Sequence, residues 1–303
     1  MDWKSHKIDA LLEQALVEDQ AVKDATTSLT IDPELRATAS ILAREEMFVC
    51  GLGAVPRFLE IFARLDPRPQ AHHRFDVVHH PEVFDGVRAH GGQVLAVIRH
   101  NARVLLSSER VILNLLQHLS GIATLTRKYV DAIEGTHARV LDTRKTVPGM
   151  RALEKYAVLC GGGTNHRIDL ASGILIKNNH IALGGGVRAA LTRALENRKH
   201  HQRIQVEVSN SRELEDALEC GAEAILLDNM PPAQVHESVQ RIKQFTATPA
   251  PGAEPRWIPT EASGGIVLEN IRAYAETGVD FISVGALTHS AKAADISMRI
   301  VAG

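Results

Sequence analysis

Six groups of polar residues in the second half of the sequence follow directly after short apolar segments. The groups are Asp142-Thr143-Arg144-Lys145, Lys177-Asn178-Asn179-His180, Glu207, Asp228-Asn229, 261–265 and Gly285. A charged side chain at the end of a buried strand costs free energy unless it is paired or lies in an open site. A single residue such as Lys177 or Glu207 is equally well explained by a structural ion pair, but six successive groups predict one shared binding site.

Five basic residues lie in or near these groups, in a chain that is almost neutral overall. They are Arg144, Lys145, His166, Arg167 and Lys177. An arginine fork binds a carboxylate through two hydrogen bonds, and a lysine supplies a point charge. The cluster therefore predicts a ligand that carries several anionic groups.

Two acidic residues, Glu207 and Asp228, stand at neighbouring positions of the same predicted site. Carboxylates of this kind bind sugar hydroxyls, or share a magnesium ion with a substrate phosphate, because Mg²⁺ is usually held by one or two carboxylates plus substrate oxygens. A phosphorylated sugar and a separate polycarboxylate are the two ligands that best suit this set of side chains.

Two glycine-containing loops are candidates for phosphate binding. Ser263-Gly264-Gly265 follows a predicted strand and precedes a predicted helix, and Gly285-Ala286 follows the last predicted strand. Backbone N–H groups in such loops bind oxyanions, and βα barrels commonly hold a phosphate after their last two strands. A tight turn is the alternative explanation for each glycine.

Apolar strands alternate with amphipathic helices from residue 139 onwards. The predicted strands are 139–141, 174–176, 204–208, 224–227, 257–260 and 281–284, and the helices between them are 150–160, 187–198, 211–220, 232–245 and 267–277, with Ser211 as an N-cap and an irregular loop at 246–256. This alternation is typical of a parallel sheet that is buried on both faces, and at least six units favour a closed barrel with its site at the carboxyl ends of the strands.

The first third of the sequence has a different pattern. We predict a helical segment over the first 30 residues, broken by the polar residues 24–28, and a helix at 55–65. We also predict strands at 38–43 and 74–78, a hairpin of strands 93–99 and 102–106, and a long helix at 109–133. The fold class is therefore α/β, with an N-terminal α+β domain before the βα barrel. We place the domains at 1–115 and 116–303.

Composition and charge argue against nucleic-acid-binding, disulfide-rich, zinc-binding and membrane proteins. Lys and Arg number 34 against 36 for Asp and Glu, so the chain lacks the basic excess of a nucleic-acid-binding protein. The three cysteines, Cys50, Cys160 and Cys220, have no C-x-x-C spacing, which argues against a disulfide framework or zinc ribbon and favours the cytoplasm. Adjacent histidines at 72–73, 79–80 and 200–201 are expected on the surface rather than at a metal. No apolar leader or membrane span is visible, so we expect no membrane partner.

The polar groups belong to longer stretches that resemble the quinolinate phosphoribosyltransferase family. The stretches are Asp142-Thr143-Arg144-Lys145-Thr146-Val147-Pro148-Gly149, Gly161-Gly162-Gly163-Thr164-Asn165-His166-Arg167, 175–181, 207–208, 228–230, 261–264 and 283–286, with others at 44–46, 50–51 and 109–117. They follow the family's order over nearly the whole chain.

This resemblance implies a fold and an activity. The fold would be an N-terminal α/β sandwich and an incomplete, TIM-like βα barrel, in a homodimer or higher homo-oligomer whose N-terminal domain closes the partner's barrel. The activity would be that of a carboxylating nicotinate-nucleotide diphosphorylase, a pentosyltransferase. It joins quinolinate to phosphoribosyl pyrophosphate and gives nicotinate mononucleotide, pyrophosphate and carbon dioxide for NAD synthesis, with Mg²⁺ and without an organic cofactor.

The resemblance also implies roles for individual residues. The quinolinate carboxylates would be bound by Arg144, His166, Arg167, Lys177 and, from the partner subunit, Arg110. Lys145 and Lys177 would serve the pyrophosphate, and Glu207 and Asp228 the ribose hydroxyls and the shared magnesium. The remaining substrate-binding positions are Thr143, Ser263, Gly264, Gly265, Val284, Gly285 and Ala286; the catalytic residues among all of these are Lys145, Lys177, Glu207 and Asp228.

Three residues depart from the family pattern. Asp169 stands where glycine is usual, Ser172 where an acid is usual, and Asn178 replaces a common acid. Every proposed cation is retained, so these changes affect the local charge and the geometry of a loop more than the reaction.

Three other functions fit parts of the sequence. A related phosphoribosyltransferase that acts on another aromatic acid would have similar loops. An aldolase would use Lys177 as a Schiff base, but this function leaves the arginines unexplained. A non-catalytic phosphosugar-binding relative would be expected to lack a key site residue, and none is missing.

Overall fold

The computed structural model describes residues 1–199, 202–247 and 256–303. The histidine pair at 200–201 and most of the predicted loop at 246–256 lie outside these ranges. The chain divides into two compact units. The first contains Met1–Arg127, Pro148–Gly162 and Ala291–Gly303, and the second contains Lys128–Val147 and Gly163–Ser290. The boundary predicted between residues 115 and 116 falls within one continuous helix, and the limits 1–115 and 116–303 stay a prediction.

The first unit is built on a four-stranded antiparallel sheet. Numbered along the whole chain, its elements are α1 (His6–Glu18), α2 (Ala25–Thr30), β1 (Arg36–Ala43), β2 (Met47–Phe48), α3 (Ala54–Leu65), β3 (Asp76–His79), β4 (Arg88–Ala89), β5 (Val94–Asn101), α4 (Ala102–Ala132), α5 (Arg151–Cys160) and β12 (Ile296–Ala302). The strand order is β12-β1-β5-β3, and β2 pairs with β4. Every second residue of β1 is buried, as the strand period requires.

The predicted hairpin is wrong, because residues 102–106 are helical. β5 ends at Asn101, and α4 begins at the next residue. The Asn101 side chain accepts a hydrogen bond from the Arg103 N–H at 2.9 Å and donates to the Pro33 carbonyl at 2.6 Å, so it ends the strand and caps the helix. The helix therefore starts seven residues before the predicted start at residue 109. The last strand, β12, pairs with β1 and has no counterpart among the predicted strands.

His100 on β5 should make the fold sensitive to acid. The side chain is fully buried, and neither ring nitrogen has a hydrogen-bond partner among the residues that the structure describes. Burial, followed by the charges of Arg36 and His73, lowers the pKa of His100 to about 4. An unfolded histidine titrates near 6.5, so the unfolded state takes up a proton first as the pH falls, and stability is lost from about pH 6.5 downwards.

We expect this histidine to remove roughly 2 kcal/mol from the free energy of unfolding between pH 7 and pH 5. Urea denaturation at the two pH values measures the loss. His100→Leu should reduce the difference between the two pH values, whatever its effect on stability at pH 7, whereas the exposed His6→Gln should leave it unchanged. An equal loss in wild type and His100→Leu would contradict the assignment.

The second unit is an open βα barrel. Hydrogen bonds join its six strands into one sheet but do not join the two edge strands of that sheet to each other. Its elements are β6 (Arg139–Leu141), β7 (Ile174–Ile176), α6 (Asn178–Gly184), α7 (Val187–Asn197), β8 (Ile204–Val208), α8 (Ser211–Glu219), β9 (Ala224–Asp228), α9 (Pro232–Ala247), β10 (Thr260–Ser263), α10 (Ile271–Ala275), β11 (Phe281–Ser283) and α11 (Ala286–His289). All six strands are parallel, in the order β6-β11-β10-β9-β8-β7. The α/β class and the incomplete barrel implied by the family resemblance are confirmed, whereas the closed barrel that the alternation alone predicts is wrong.

The edge strand β6 has one further neighbour on its open side. Thr164 donates its N–H to the Val140 carbonyl at 2.9 Å, and its own carbonyl accepts the Asp142 N–H at 3.1 Å. This single parallel bridge stands where another strand would otherwise lie. It attaches the segment that carries His166 and Arg167 to the edge of the sheet.

Two local predictions in this unit need correction. Asn210, not Ser211, caps α8, because its side chain accepts the Glu213 N–H at 3.0 Å. The strand predicted at 257–260 lies at Thr260–Ser263, since hydrogen bonds to β9 and β11 decide where this strand begins. Glu261 is therefore inside β10 rather than after it. Within the described ranges, no helix is both long and apolar enough to cross a bilayer.

Candidate active site

A cavity of about 570 Å³ opens at the carboxyl ends of the six parallel strands. This volume is in the range of small-molecule sites. Because parallel strands end at the same edge, residues far apart in sequence meet there. The predicted residues that line the cavity are Thr143, Arg144, Lys145, His166, Arg167, Lys177, Glu207, Asp228, Ser263, Gly264, Gly265 and Gly285.

Arg144 and Arg167 both line the cavity, and their charges interact with each other. The Nε of Arg144 is buried and has no hydrogen-bond partner among the described residues. Arg167 donates to the Gly173 carbonyl at 2.8 Å. Burial and then the charge of Arg144 lower the pKa of Arg167 from its ordinary value. Two cations that line the same cavity and whose charges interact form a site for an anion.

A buried carboxylate orients His166. Glu261 is only 3% exposed and accepts hydrogen bonds from Ser283 and, at 2.8 Å, from Gln205. Its Oε2 lies 3.3 Å from the His166 Nε2. Burial alone would raise the pKa of Glu261, but the hydrogen bonds from His166, Ser283 and Gln205 lower it overall. The backbone N–H of Arg167 donates to the other nitrogen of the His166 ring, Nδ1, at 2.7 Å. The ring proton therefore belongs on Nε2, which faces the carboxylate.

If His166 binds a substrate in this cavity, Glu261→Gln should lower kcat/KM for that substrate by about ten-fold or more, the size of effect known for carboxylates that orient metal-binding histidines. Steady-state kinetics measure the effect, and the exposed Glu237→Gln serves as the control. The melting temperature should change little, because the substitution keeps the side chain's shape and the amide oxygen can still accept hydrogen bonds from its neighbours. A fall in melting temperature with unchanged kinetics would show a purely structural role instead.

Lys177 and Glu207 meet at the start of α6. The Lys177 Nζ lies 3.3 Å from the Glu207 Oε2, and the Asn178 N–H donates to the other carboxylate oxygen at 3.3 Å. Glu207 is buried, whereas the Lys177 side chain is half exposed. The carboxylate is thus fixed in the wall, while the ammonium group faces the open cavity.

Asp228, at the end of β9, accepts two amide hydrogen bonds on its Oδ2. They come from the Asn229 side chain at 2.9 Å and the Asn178 side chain at 3.3 Å. An acid at position 178 would repel Asp228, whereas Asn178 stabilises it. The departure at this position therefore lowers the negative charge at this edge of the cavity and replaces repulsion by a hydrogen bond.

The two other departures from the family pattern, Asp169 and Ser172, form hydrogen bonds with each other. The Asp169 carboxylate accepts the N–H groups of Ala171 and Ser172 at 2.9 and 2.8 Å, and the Ser172 hydroxyl accepts the Asp169 N–H at 3.2 Å. The hydrogen bonds with Ser172 are the main reason for the lowered pKa of Asp169. These residues close a turn of their own just beyond Arg167.

The two glycine-containing loops differ in construction. Gly264 has a φ of +97°, and a Cβ there would overlap the Asn229 side chain, so only glycine fits. α10 begins at Ile271, later than predicted, so the loop itself, and not a helix N-terminus, presents the free N–H groups. At Gly285 a Cβ would lie 3.0 Å from the Lys145 Cδ and 3.1 Å from the His289 Nε2, and its absence leaves room for both side chains.

Some residues of the cavity were absent from the predicted site. They are Leu175, Leu226, Asn229, Glu261, Ile266, Ser283 and His289. Asn229 and Glu261 stood in the polar groups at the strand ends, so only their roles were missed. His289 could have been found from its spacing, because it follows Gly285 by one helical turn.

Three predicted residues are not among those that line the cavity. Val284 and Ala286 flank Gly285, and Val284 is buried. Arg110 is exposed on α4, in the first unit. Their roles in binding substrate stay predictions. In the described ranges, no group of three or more His, Cys, Asp or Glu residues is placed to hold a metal ion.

Comparison with known proteins gives matches along almost the whole chain. The N-terminal domain of quinolinate phosphoribosyl transferase matches residues 24–120, and the C-terminal domain matches residues 122–299. The probable nicotinate-nucleotide pyrophosphorylase (carboxylating) of Bacillus subtilis is 41% identical over 294 residues, covering 97% of this chain and 93% of that protein. The corresponding Mycobacterium leprae protein is 41% identical over 290 residues, with 95% of each chain covered.

Solved structures match equally well. NadC from Streptococcus pyogenes superposes with a TM-score of 0.88 at 34% identity, covering 100% of this chain and 99% of that one. The nicotinate-nucleotide pyrophosphorylase from Francisella tularensis gives a TM-score of 0.84 at 36% identity, covering 97% and 96%. By its two matched domains, its full-length relatives and its fold, this chain belongs to the quinolinate phosphoribosyl transferase family.

Proposed function

We propose that the cavity binds quinolinate and phosphoribosyl pyrophosphate and that the enzyme joins them into nicotinate mononucleotide, releasing pyrophosphate and carbon dioxide. The reaction supplies NAD biosynthesis. The observation that carries this proposal is the convergence of Arg144, Arg167 and Lys177 on one cavity, because a dicarboxylate could bind to several of these cations at once. Relatives from Bacillus subtilis and Mycobacterium leprae are named as carboxylating nicotinate-nucleotide pyrophosphorylases.

The chemistry requires positioning and charge stabilisation rather than a strong protein nucleophile. The quinolinate nitrogen displaces pyrophosphate from the anomeric carbon, which develops positive charge as the bond breaks. Glu207 and Asp228 would bind the ribose hydroxyls near that charge, and Lys145 and Lys177 would stabilise the leaving pyrophosphate. The quaternised ring nitrogen then accepts the electron pair left by the departing carbon dioxide, so no organic cofactor is needed.

We also propose that Mg²⁺ enters with phosphoribosyl pyrophosphate. The donor set fits an ion shared with the substrate, because Glu207 and Asp228 line one side of the cavity as hard oxygen ligands. Two carboxylates are too few for a closed protein site, and the pyrophosphate oxygens would complete the coordination. When bound, the ion would neutralise the charge on the leaving group.

The assembly and the location are further proposals. We propose a homodimer in which Arg110 completes the partner's cavity, on the grounds that this exposed arginine does not line the cavity described above. We propose a cytoplasmic location from the sparse, widely spaced cysteines.

The Schiff-base alternative is disfavoured by the surroundings of Lys177. This side chain is half exposed and paired with Glu207, whereas a Schiff-base lysine is activated in an apolar pocket or beside another cation. A related phosphoribosyltransferase for another aromatic acid remains the main competitor, and the substrate itself distinguishes the two.

The test is an assay of nicotinate mononucleotide, pyrophosphate and carbon dioxide with quinolinate or nicotinate as the acceptor. We expect equal amounts of the three products from quinolinate. With nicotinate, kcat/KM should be lower by about a hundred-fold or more, because a missing carboxylate leaves buried cations unpaired. Equal turnover of both acids would overturn the quinolinate assignment.

Metal removal is a separate arm of the same assay. EDTA should abolish turnover and added Mg²⁺ should restore it, because the pyrophosphate is expected to bind and leave as its magnesium complex. Full activity in EDTA would contradict the magnesium proposal without affecting the choice of acceptor.

A further inference from the structure

Two cysteines that are 110 residues apart in sequence meet in the first unit. The Sγ atoms of Cys50 and Cys160 lie 3.6 Å apart. Cys50 follows β2 and precedes Gly51, and Cys160 is the last residue of α5. Neither residue lines the active-site cavity. A separation of this size is a contact between two free thiols, and a disulfide needs the atoms to approach to about 2.05 Å.

The surrounding structure holds both thiols in place. The Cys50 N–H donates to the Ser120 hydroxyl at 3.0 Å, and that hydroxyl donates back to the Cys50 carbonyl at 3.3 Å. Asp85 accepts the N–H groups of the next two residues, Gly51 and Leu52, at 2.9 and 3.0 Å. The Cys50 backbone is therefore anchored on both sides.

The same carboxylate anchors the helix that carries Cys160. The Tyr156 hydroxyl donates to the Asp85 Oδ2 at 2.8 Å, and Tyr156 precedes Cys160 by one helical turn on α5. One aspartate thus ties the Cys50 loop to α5. The two sulfur atoms are fixed close together before any bond forms between them.

The two thiols differ in access and in acidity. Cys50 is fully buried, whereas Cys160 is partly exposed. The Cys50 S–H donates to the Cys160 sulfur, and this hydrogen bond lowers the pKa of Cys160. Burial, followed by the interaction with Cys160, raises the pKa of Cys50. A partly exposed cysteine with the more acidic thiol, in contact with a fully buried second cysteine, is the arrangement typical of oxidation-sensitive pairs.

We propose that Cys50 and Cys160 form an oxidation site at which hydrogen peroxide or an organic hydroperoxide converts the dithiol into a disulfide. The Cys160 thiolate attacks a peroxide oxygen, so an S–O bond forms, the O–O bond breaks and the leaving oxygen is protonated to water or an alcohol. The Cys50 sulfur then attacks the Cys160 sulfenic acid, so the S–S bond forms, the S–O bond breaks and water leaves with the Cys50 proton. The two thiols lose two electrons, and the peroxide gains them.

The test treats the full-length, reduced chain with one equivalent of hydrogen peroxide, alkylates the remaining thiols under denaturing conditions and maps the peptides by mass spectrometry. We expect a Cys50–Cys160 disulfide and an alkylated Cys220. Cys220 is a matched control within the chain, because it is partly exposed like Cys160 but lies in the second unit beside Arg188.

Two variants separate the roles of the thiols. Cys50→Ser should stop at a Cys160 sulfenic acid that dimedone traps, and Cys160→Ser should leave Cys50 unoxidised. Cys220→Ser should behave as wild type. Alkylated Cys50 and Cys160 in peroxide-treated wild type, or disulfides that involve Cys220 instead, would overturn the proposal. The wild-type result does not depend on the folding of any variant, and it is independent of the proposed activity.

Discussion

Replacing Arg144 with alanine should lower kcat/KM for quinolinate by about 30-fold or more. Truncating one partner of a buried, charge-assisted pair costs roughly 2–5 kcal/mol, and each 1.36 kcal/mol is a factor of ten. Arg144 lines the cavity, where its guanidinium group would bind a quinolinate carboxylate. Steady-state kinetics with varied quinolinate measure the loss.

Two other variants test whether that loss is specific to the guanidinium group of Arg144. Arg144→Lys should recover only part of the activity, because an ammonium group cannot make the two parallel hydrogen bonds of a guanidinium. Arg193→Ala, which removes an exposed arginine from α7, should match wild type. If Arg144→Ala binds and turns over quinolinate normally in a folded protein, Arg144 does not bind a quinolinate carboxylate.

Mixing two inactive variants should restore activity if Arg110 serves the partner's site. In a symmetric dimer, a chain with Arg110→Ala and a chain with Lys177→Ala would together form one intact site and one doubly impaired site. Random exchange makes half of the dimers mixed, so we expect about a quarter of wild-type activity. The measurement is the rate of nicotinate mononucleotide formation before and after exchange.

A matched pair of variants controls for nonspecific recovery. Arg144 and Lys177 line the same cavity within one chain, so a mixture of Arg144→Ala and Lys177→Ala chains contains no intact site in any dimer. That mixture should stay inactive. Exchange is verified separately with differently tagged chains. Confirmed exchange of the Arg110→Ala and Lys177→Ala chains without any return of activity would disprove the shared-site proposal.

The sequence by itself located the barrel strands well where a short apolar run was bounded by polar residues. β6, β7 and β8 begin and end where predicted. The prediction of strand bounds failed where the local hydrophobic pattern differed from the pairing of strands in the folded sheet. The apolar residues Trp257 and Ile258 suggested a strand, yet Trp257 is 65% exposed, and pairing with β9 and β11 starts the strand at Thr260.

The residue types of the site could also be predicted from the sequence, because a charged residue at the end of an apolar segment is a local property of the sequence. The sequence therefore supplied the arginines, lysines and carboxylates of the cavity. The tertiary structure alone decided their partners: Gln205 on β8 and Ser283 on β11 meet Glu261 on β10, and Cys50 meets Cys160. Strand order and helix packing bring such residues together although they are far apart in sequence. The hydrophobic periodicity of a single segment does not show which distant side chains will be in contact.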